Sequence, residues 1–489
     1  MTSFLLRARR IVTPDDGPRA GTIIVERGRI AGIGPLDEPA AGRTVIDAGE
    51  AMVLPGLVDT HVHINEPGRT AWEGFETATR AAAAGGVTTL LDMPLNSIPA
   101  TTTVAALEAK RAAAAGKCSV DVGFLGGVVP GNASDLPLLW TSGVFAFKCF
   151  MVPSGVDEFG YVTEADLRVA MPVLAELGAT LLVHAEVPGP IDAAPGMTDP
   201  RNYLQYLATR PRAAEHDAIR LVLRLAAEFG ARVHVVHLSA ADSGPIIAEA
   251  RSHGARVTVE TCPHYLHFAA EEIADGATDH KCAPPIRDRS NREALWRAMS
   301  ARPLGVQPIS PDGTDHPPTA MRTDVIDLVV SDHSPCVPAL KRLETGSFAD
   351  AWGGIASLQH GLSIVWSGAR ARALGVQHVV RWMSENPARL AGLWTRKGAI
   401  APGFDADFVL WHPDEEHTIA AAELQQRHHI SPYVGVRLPG VVEATYLRGT
   451  LVYQRGAIMG PPSGQRLART GSPRSGDERA IVPHSTPSR

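Results

Sequence analysis

Eight short apolar runs recur through the middle of this chain, each followed by Gly, Pro, Asn or Ser and then by an Ala-rich stretch with helical character. The runs are LPGLVDTHVH (54–63), VTTLLDMP (87–94), VDVGFLGG (120–127), VFAFKCFM (144–151), TLLVHAE (180–186), VHVVHLS (233–239), VTVETCP (257–263) and LVVSDHSP (328–335). Continuous apolar strands that alternate with helices are typical of a parallel sheet buried on both faces. Eight such units predict a (β/α)8 barrel with insertions rather than an open, doubly wound sheet.

The two ends of the chain are instead rich in short strands and tight turns. Residues 22–26 and 29–33 predict a hairpin, and residues 397–411 and 440–453 have the same character. Neither end could bury a core alone, so we expect them to pair in one small unit. The predicted α/β fold therefore has a β-sandwich domain (1–54 and 396–458) and a TIM-barrel domain (55–395).

Two stretches fit neither domain. Residues 303–324 carry many prolines just before the last apolar run, so we expect an extended loop near the mouth of that strand or an insertion. Residues 459–489 are rich in Pro, Ser, Gly and Arg and have few apolar anchors, which predicts a disordered tail.

The composition excludes several classes of protein. Lys and Arg number 46 against 52 Asp and Glu, so no basic field is present to follow a phosphate backbone, and nucleic-acid binding is not expected. The 5 cysteines form no CxxC pair, so neither a disulfide scaffold nor a cysteine-ligated zinc is expected. No apolar run is long enough to span a membrane, and arginines interrupt the apolar N-terminus, so we expect a cytoplasmic protein.

Polar side chains within the apolar runs cluster near the ends of the predicted strands. In a barrel of this kind, that end of the strands carries the active site. Any one of these residues could have a purely structural role, but the set as a whole indicates a site. Its members are Asp59, His61, His63, Lys148, His184, His237 and Asp332.

The first strand carries a His61-Val62-His63 sequence. Side chains at positions i and i+2 of a strand point the same way, so both imidazoles could bind one metal while Val62 packs on the other side. Asp59 could orient one of these histidines from the side away from the metal.

Lys148 lies within an apolar strand, so its amine must be paired or desolvated. One interpretation is a buried salt bridge. The other is a neutral amine near metals, where reaction with carbon dioxide would give a carbamate able to bridge two cations. Cys149 faces the opposite way and is expected in the core.

His184 and His237 lie at the ends of the fifth and sixth strands. His237 is nearer the end of its strand than His234, so it is the better candidate ligand, whereas His234 is expected to pack outside or to bond a helix. Either candidate could instead be a structural histidine.

Asp332 lies in a Ser331-Asp332-His333-Ser334 sequence that suggests a catalytic triad. Neighbours on a strand diverge to opposite faces and cannot form such a relay, so a triad is not expected. A carboxylate at the mouth of the last strand is better explained as a metal ligand that also transfers a proton.

Several longer motifs surround these side chains. The broad ones are PGLVDTHVH (55–63), FKCF (147–150), HAE (184–186), HVVHLS (234–239), SDHSP (331–335) and GAIAPGFDADFVLW (398–411). The narrow ones are HINEPGRTAWEGFETAT (63–79), DMPLNSIPATTT (92–103), SGVDEFG (154–160), ETCPHYL (260–266), KCAPPIR (281–287) and WGGIASLQ (352–359). Together they resemble the amidohydrolase superfamily, within it the cyclic amidohydrolases, and most closely the allantoinase family.

The resemblance implies a binuclear metal centre. It implies that His61, His63 and Asp332 bind the more buried ion, that His184 and His237 bind the other, and that N6-carboxylated Lys148 bridges them. Zinc fits this ligand set, which also accepts manganese, cobalt or iron. A hydroxide between the ions would open the cyclic amide of allantoin to give allantoate, and Asp332 would carry the proton to the leaving nitrogen.

The resemblance also suggests Asn96 and Ser334 as residues that hold the substrate, together with backbone near residues 282–283. Asn96 could equally be a turn residue that closes its loop. Two positions depart from related families: Asn65 stands where dihydroorotases typically have a carboxylate-binding arginine, and Pro153 stands where hydantoinases have an oxyanion-binding tyrosine. Allantoin has no carboxylate to bind, so the first departure agrees with an allantoinase.

Two alternatives remain at this stage. One is another cyclic amidase, namely a hydantoinase, a dihydropyrimidinase or a dihydroorotase. The other is a non-catalytic scaffold that keeps the fold, which the complete set of ligand positions disfavours. By resemblance alone, we expect a homo-oligomer, either a dimer or a tetramer, that acts on a small molecule.

Overall fold

The computed structural model describes residues 3–14, 17–300 and 325–469. Its strands are β1 (Ser3–Ile11), β2 (Arg19–Glu26), β3 (Arg29–Gly34), β4 (Thr44–Asp47), β5 (Met52–Pro55), β6 (Leu57–Val62), β7 (Val87–Asp92), β8 (Asp121–Phe124), β9 (Gly126–Gly127), β10 (Phe147–Phe150), β11 (Thr180–His184), β12 (Arg232–Val235), β13 (Val257–Thr261), β14 (Leu328–Val329), β15 (Phe408–Thr418), β16 (Arg437–Leu447), β17 (Thr450–Gln454) and β18 (Ala457–Ile458). The strands form three sheets, one from the two chain ends and two from the middle of the chain.

Helices connect most of the middle strands. They are α1 (Phe75–Ala84), α2 (Val104–Ala114), α3 (Leu136–Thr141), α4 (Glu164–Leu177), α5 (Pro188–Asp192), α6 (Tyr203–Ala208), α7 (Arg212–Phe229), α8 (Gly244–Ser252), α9 (Pro263–His267), α10 (Arg289–Ser300), α11 (Pro338–Lys341), α12 (Gly361–Ala371), α13 (Val376–Val380) and α14 (Asn386–Leu390). Among the residues that the structure describes, no helix combines the length and apolarity needed to cross a bilayer.

The two chain ends build one nine-stranded sheet in the order β18-β17-β16-β15-β5-β1-β2-β3, with β4 beside β1. The predicted hairpin is present as β2 and β3, and its turn residues Arg27 and Gly28 have φ of 54° and 78°. Left-handed conformations at both turn positions match the twist of the two strands. Phe4, Val25 and Phe408 share one hydrophobic cluster, so both ends contribute to the same core.

The middle of the chain forms two parallel sheets, β6-β7-β8 and β9 through β14 in sequence order. The predicted strand at 120–127 is interrupted at Leu125, and its halves β8 and β9 belong to different sheets. Backbone hydrogen bonds from Phe145 N to Phe124 O (3.0 Å) and from Gly126 N to Ala146 O (2.9 Å) continue across this interruption. At the opposite edges, His63 N donates to His333 O at 2.8 Å. The predicted parallel, helix-covered architecture is therefore present.

The C-terminal segment differs from its prediction. Residues 459–469 are ordered rather than part of a disordered tail, because Val122 N donates to Gln465 O (3.0 Å) and Leu467 N donates to Val122 O (2.8 Å). Leu467 is buried in a hydrophobic cluster, so a single apolar anchor holds a segment whose composition alone suggested disorder. The predicted loop at 303–324 and the tail from residue 470 onward lie outside the described residues.

Candidate active site

The predicted ligands lie at the carboxyl ends of the parallel strands. His61 is on β6, Lys148 is on β10 and His184 is the last residue of β11. The other three residues, His63, His237 and Asp332, follow β6, β12 and β14. All six side chains are buried, so their polar atoms face one another rather than bulk water.

His61, His63 and Asp332 form a compact group. His61 Nε2 lies 3.1 Å from Asp332 Oδ1, and His63 Nε2 lies 3.5 Å from the same oxygen. Donor atoms of the three residues lie within 4.8 Å of one another. The structure thus brings together the i, i+2 histidine pair and a carboxylate that is distant in sequence.

His184 and His237 form the neighbouring group. Their rings meet edge to face with centroids 4.6 Å apart, and the His237 ring centroid lies 5.5 Å from that of His61. Nδ1 of His237 is buried and has no hydrogen-bond partner within the described part of the chain. The two histidines therefore adjoin the first group and offer a free donor atom.

Lys148 is completely buried, and its Nζ makes no hydrogen bond or ion pair with the described residues. The predicted alternative of a buried salt bridge is therefore absent from the part of the chain that the structure describes. Nζ lies 4.9 Å from the centroid of the Phe150 ring, which stacks on His184. Burial lowers the pKa of Lys148 to about 8, although nearby carboxylates partly oppose this effect. A minority of the amine is therefore already neutral at pH 7, far more than for an ordinary lysine.

The donor set fits divalent metal ions. Imidazole nitrogens and one carboxylate suit zinc and its neighbours in the transition series. An unpartnered buried amine and an unpartnered His237 nitrogen are costly unless something else occupies the space between them. These observations agree with a site built around cations.

Glu260 on β13 is a central residue that sequence reasoning missed. It bonds His61 Nδ1 through Oε1 and His234 Nε2 through Oε2, the latter at 2.8 Å, and it accepts a bond from the His237 backbone N–H at 3.3 Å. Burial opposes ionisation, but His61 and His234 lower the pKa of Glu260 to about 2. Glu260 therefore fixes the orientation of the His61 ring so that Nε2 faces Asp332.

His234 differs from its prediction. It is completely buried and bonds Glu260 and Thr258 rather than packing outside or against a helix. The expectation used strand alternation alone and could not include a carboxylate on the adjacent strand. His184 is held in a similar way by Glu186, whose other contact is Arg210.

Asp59 also acts differently from its prediction. Its carboxylate accepts hydrogen bonds from the backbone N–H groups of His61 (3.0 Å) and Ser331 (3.1 Å) rather than from an imidazole. Asp59 thereby ties the first strand to the segment that carries Asp332. It positions the ligands through the backbone.

Cys262 and His264 form a second group with Asp332, whose donor atoms also lie within 4.8 Å of one another. Both ring nitrogens of His264 are buried without a hydrogen bond, and burial lowers the pKa of His264 to about 4. These residues belong to the ETCPHYL motif, but the sequence analysis gave them no chemical role. Their only available signal was a histidine three residues beyond the strand.

The residues around Asp332 do not form a catalytic triad. Ser334 Oγ donates to Asp332 Oδ1 at 2.9 Å, whereas His333 Nε2 lies 3.2 Å from Glu73 Oε2. The absence of a triad agrees with the prediction, but the reason differs. The strand ends at Val329, so the chain bends around Asp332 instead of alternating along a strand.

Asn96 lies beside the group formed by His61, His63 and Asp332. Its Nδ2 lies 3.4 Å from His63 Nδ1, and its Oδ1 is buried without a partner. Asn96, His237 and Asp332 have φ of 68°, 39° and 45°, a left-handed conformation that is strained for side chains other than glycine. Such strain clusters at functional sites, where the surrounding structure maintains it.

Residues 52–452 match the model of the amidohydrolase family. The chain is 49% identical to an allantoinase from Streptomyces avermitilis over 95% of its own length and 98% of that protein, and 44% identical to an allantoinase from Arabidopsis thaliana over 93% and 88%. Among solved structures, the L-hydantoinase (dihydropyrimidinase) of Arthrobacter aurescens superposes with a TM-score of 0.84 at 29% identity, covering 96% of this chain and 100% of that chain. The chain therefore belongs to the amidohydrolase family, in the branch that contains the allantoinases.

Proposed function

We propose that this protein is an allantoinase that hydrolyses the cyclic amide bond of allantoin to give allantoate. The observation that carries the proposal is the convergence of two ligand groups next to the unpartnered amine of Lys148. The similarity to allantoinases over almost the whole chain selects allantoin among the cyclic amides.

The proposed metal centre uses the six predicted ligands. His61, His63 and Asp332 would hold one divalent ion, His184 and His237 would hold the second, and N6-carboxylated Lys148 would bridge them. The bound ions would activate water at neutral pH and polarise the amide carbonyl. Zinc is the proposed metal, and manganese, cobalt or iron would suit the same donors.

The side chains around this centre position the substrate and transfer the proton. His61 and the adjacent histidines hold the pKa of Asp332 well below its usual range despite burial, so its carboxylate is ionised, and in the proposed reaction it takes a proton from the attacking water. In the proposed reaction it delivers this proton to the ring nitrogen that leaves. Ser334, which bonds this carboxylate, and Asn96, with its free Oδ1, are the proposed contacts to the substrate.

The two departures from related families bear on the choice among cyclic amides. Asn65 is buried and donates to Pro335 O at 3.2 Å, so its side chain fixes a loop. It offers no positive charge that could bind a substrate carboxylate. Pro153 is exposed and has no donor to offer an oxyanion. The first feature disfavours dihydroorotase chemistry, and the second disfavours the tyrosine-assisted route of hydantoinases.

The remaining proposals concern architecture and setting. We propose that the two parallel sheets close into a (β/α)8 barrel spanning 55–395, since backbone bonds occur at both of their junctions, and that 1–54 with 396–458 form a β-sandwich. All five cysteines are buried free thiols, which supports a reducing, cytoplasmic setting. Assembly as a dimer or tetramer rests on the family resemblance.

The proposal is tested by metal analysis of the purified protein coupled to a turnover assay. We expect about two catalytic ions per chain and turnover of allantoin in preference to hydantoin, dihydrouracil and dihydroorotate. A metal-bearing protein that opens hydantoin but leaves allantoin untouched would identify a different cyclic amidase. A protein without turnover of any of them would be a scaffold.

A further inference from the structure

A second cluster of metal-binding side chains lies outside the active site. It consists of His360, His417 and Glu423, and one donor atom from each lies within 4.8 Å of the others. The three residues come from separate segments: the 3-10 turn before α12, strand β15 and the 3-10 turn after that strand. The cluster therefore spans the contact between a helix of the middle region and the sheet formed by the chain ends.

One side-chain polar atom from each residue of this cluster has no hydrogen-bond partner among the residues that the structure describes. Nε2 of His360, Nδ1 of His417 and Oε1 of Glu423 are all buried and unbonded, and His360 as a whole is only 8% exposed. An unsatisfied buried polar atom costs about 1–3 kcal/mol, so three at one place are difficult to explain without an occupant. Burial, reinforced by His417, lowers the pKa of His360 to about 3, which leaves its ring neutral. A neutral ring keeps a lone pair for an electrophile.

The spacing of the donors suits a metal ion better than an ion pair. His360 Nε2 and Glu423 Oε1 are 3.9 Å apart, beyond hydrogen-bond distance. Two ligands of a tetrahedral zinc, each about 2.1 Å from the ion, lie roughly 3.4 Å apart. Closing the observed gap needs only a small movement of the Glu423 side chain, which is 38% exposed. That exposure also provides a path for entry and a position for a water ligand.

We propose that His360, His417 and Glu423 form a divalent-metal site of the zinc class, separate from the catalytic centre, that braces the β15–β16 connection against helix α12. The neighbouring backbone is already tied together around it. Gln359 Nε2 donates to Glu423 O at 3.1 Å, and Gln425 N donates to Gln359 Oε1 at 2.7 Å. The ion adds side-chain bonds to this connection without touching the proposed substrate.

Zinc binding by matched variants tests this site. The full-length protein is dialysed against Zn2+ and its zinc content is measured for the wild type, His417→Ala, Glu423→Gln and His412→Ala. His412 is the matched control because it lies on the same strand but pairs with Glu443 outside the cluster. We expect His417→Ala and Glu423→Gln each to lose about one zinc per chain relative to both the wild type and His412→Ala. This difference does not depend on how many ions the catalytic centre holds.

Thermal unfolding gives a second measurement. Added Zn2+ should raise the Tm of the wild type and of His412→Ala more than that of the two cluster variants, because the ion binds only the folded arrangement. Turnover of allantoin at saturating metal should be the same in all four proteins. Equal zinc content and equal Tm response in His417→Ala, Glu423→Gln and His412→Ala would overturn the proposal.

Discussion

Two buried lysines in this protein have opposite surroundings. Lys397 Nζ contacts Asp121 Oδ2 and Asp407 Oδ2 at 2.7 Å each and Asp405 Oδ2 at 3.1 Å, whereas Lys148 Nζ has no partner among the described residues. Taken alone, burial acts to lower the pKa of both amines. In Lys397 the carboxylates outweigh burial and raise the pKa, whereas in Lys148 burial prevails.

The difference separates a structural group from one that we propose to be reactive. The Lys397 cluster connects β8 in the middle region with the segment before β15, and Gln465 N from the C-terminal segment also donates to Asp121. Arg448 and Arg396 add two further cations to the three carboxylates, so the charges compensate one another and the cluster holds the fold together. Lys148 has no compensating carboxylate within the described part of the chain, and its lowered pKa makes the amine easier to deprotonate at the ends of the strands, where the proposed ligand groups converge. For these two lysines, burial without a partner coincides with the proposed active site, and burial among carboxylates coincides with a structural connection.

The largest expected effect follows from Lys148→Ala. The variant should lose metal and reduce kcat/KM for allantoin by roughly 10³-fold or more, because the ions supply several kcal/mol of transition-state stabilisation. Metal analysis and steady-state kinetics measure both effects, and a short carboxylate such as acetate should partly restore turnover. Full activity in this variant would show that the bridging assignment is wrong.

Lys397→Met should lower stability and leave turnover nearly unchanged. Removing the cation takes away the partner that the three carboxylates share and leaves Arg448 on Asp121 and Arg396 on Asp405, so the free energy of unfolding should fall by about 4 kcal/mol. Turnover by the protein that remains folded should stay close to that of the wild type. Denaturant unfolding measures the loss, and Arg220→Met is the control because this arginine and its partner Asp217 are both more than half exposed, so the change should cost less than about 1 kcal/mol. A loss of turnover without a loss of stability would undo the comparison.

The pH dependence of stability should distinguish the two lysines. In metal-free protein without carbon dioxide, Lys148 binds fewer protons when folded than when unfolded between pH 8 and the ordinary lysine pKa of 10.5. The buried Lys148 amine therefore lowers the free energy of unfolding below pH 8, and this penalty decreases to zero towards pH 10.5. Lys148→Met should gain roughly 3 kcal/mol at pH 7 and lose that gain by pH 10.5. The deficit of Lys397→Met should stay constant over this range, because the raised pKa keeps Lys397 charged. Parallel profiles for the two variants would contradict this account.

Leu467→Ala tests the support that the C-terminal segment gives to the Lys397 cluster. Truncating this buried side chain should lower the free energy of unfolding by about 2–3 kcal/mol with no change in KM. Removal of residues 470–489 is the control and should leave both quantities unchanged. If Leu467→Ala were as stable as the wild type, the segment would contribute nothing to the fold.

Glu260→Gln tests the support behind the Lys148 site. The variant keeps the shape of the side chain but loses the charge that orients His61, so metal affinity and kcat/KM should fall about 10–100-fold. Thr258→Val is the matched control, since Thr258 bonds only the far side of the His234 ring. Equal losses in both variants would mean that His234, rather than His61, mediates the effect.

The sequence predicted those features that depend on local pattern. Apolar runs with polar residues at their ends identified the parallel strands and placed His61, His63, Lys148 and Asp332 on or just after them, because side-chain direction along a strand follows from position. The narrow motifs added the family. These signals required no knowledge of contacts between distant segments.

Contacts between distant segments explain what the sequence did not predict. Glu260 is 199 positions from His61, and Lys397 is 276 positions from Asp121, so no local periodicity connects either pair. The ordered segment at 463–467 depends on an edge of β8 that becomes available only when the sheet has formed. Likewise, His360 and His417 gave no local signal because they approach each other across two regions of the fold.

The most direct test of the metal centre is anomalous diffraction from crystals of the metal-loaded enzyme. We expect two ions about 3.5–4 Å apart, one beside His61, His63 and Asp332 and the other beside His184 and His237. Continuous density should extend from Lys148 Nζ to a carboxylate between them. A single ion, or density that stops at Nζ, would contradict the proposed bridge and the mechanism that rests on it.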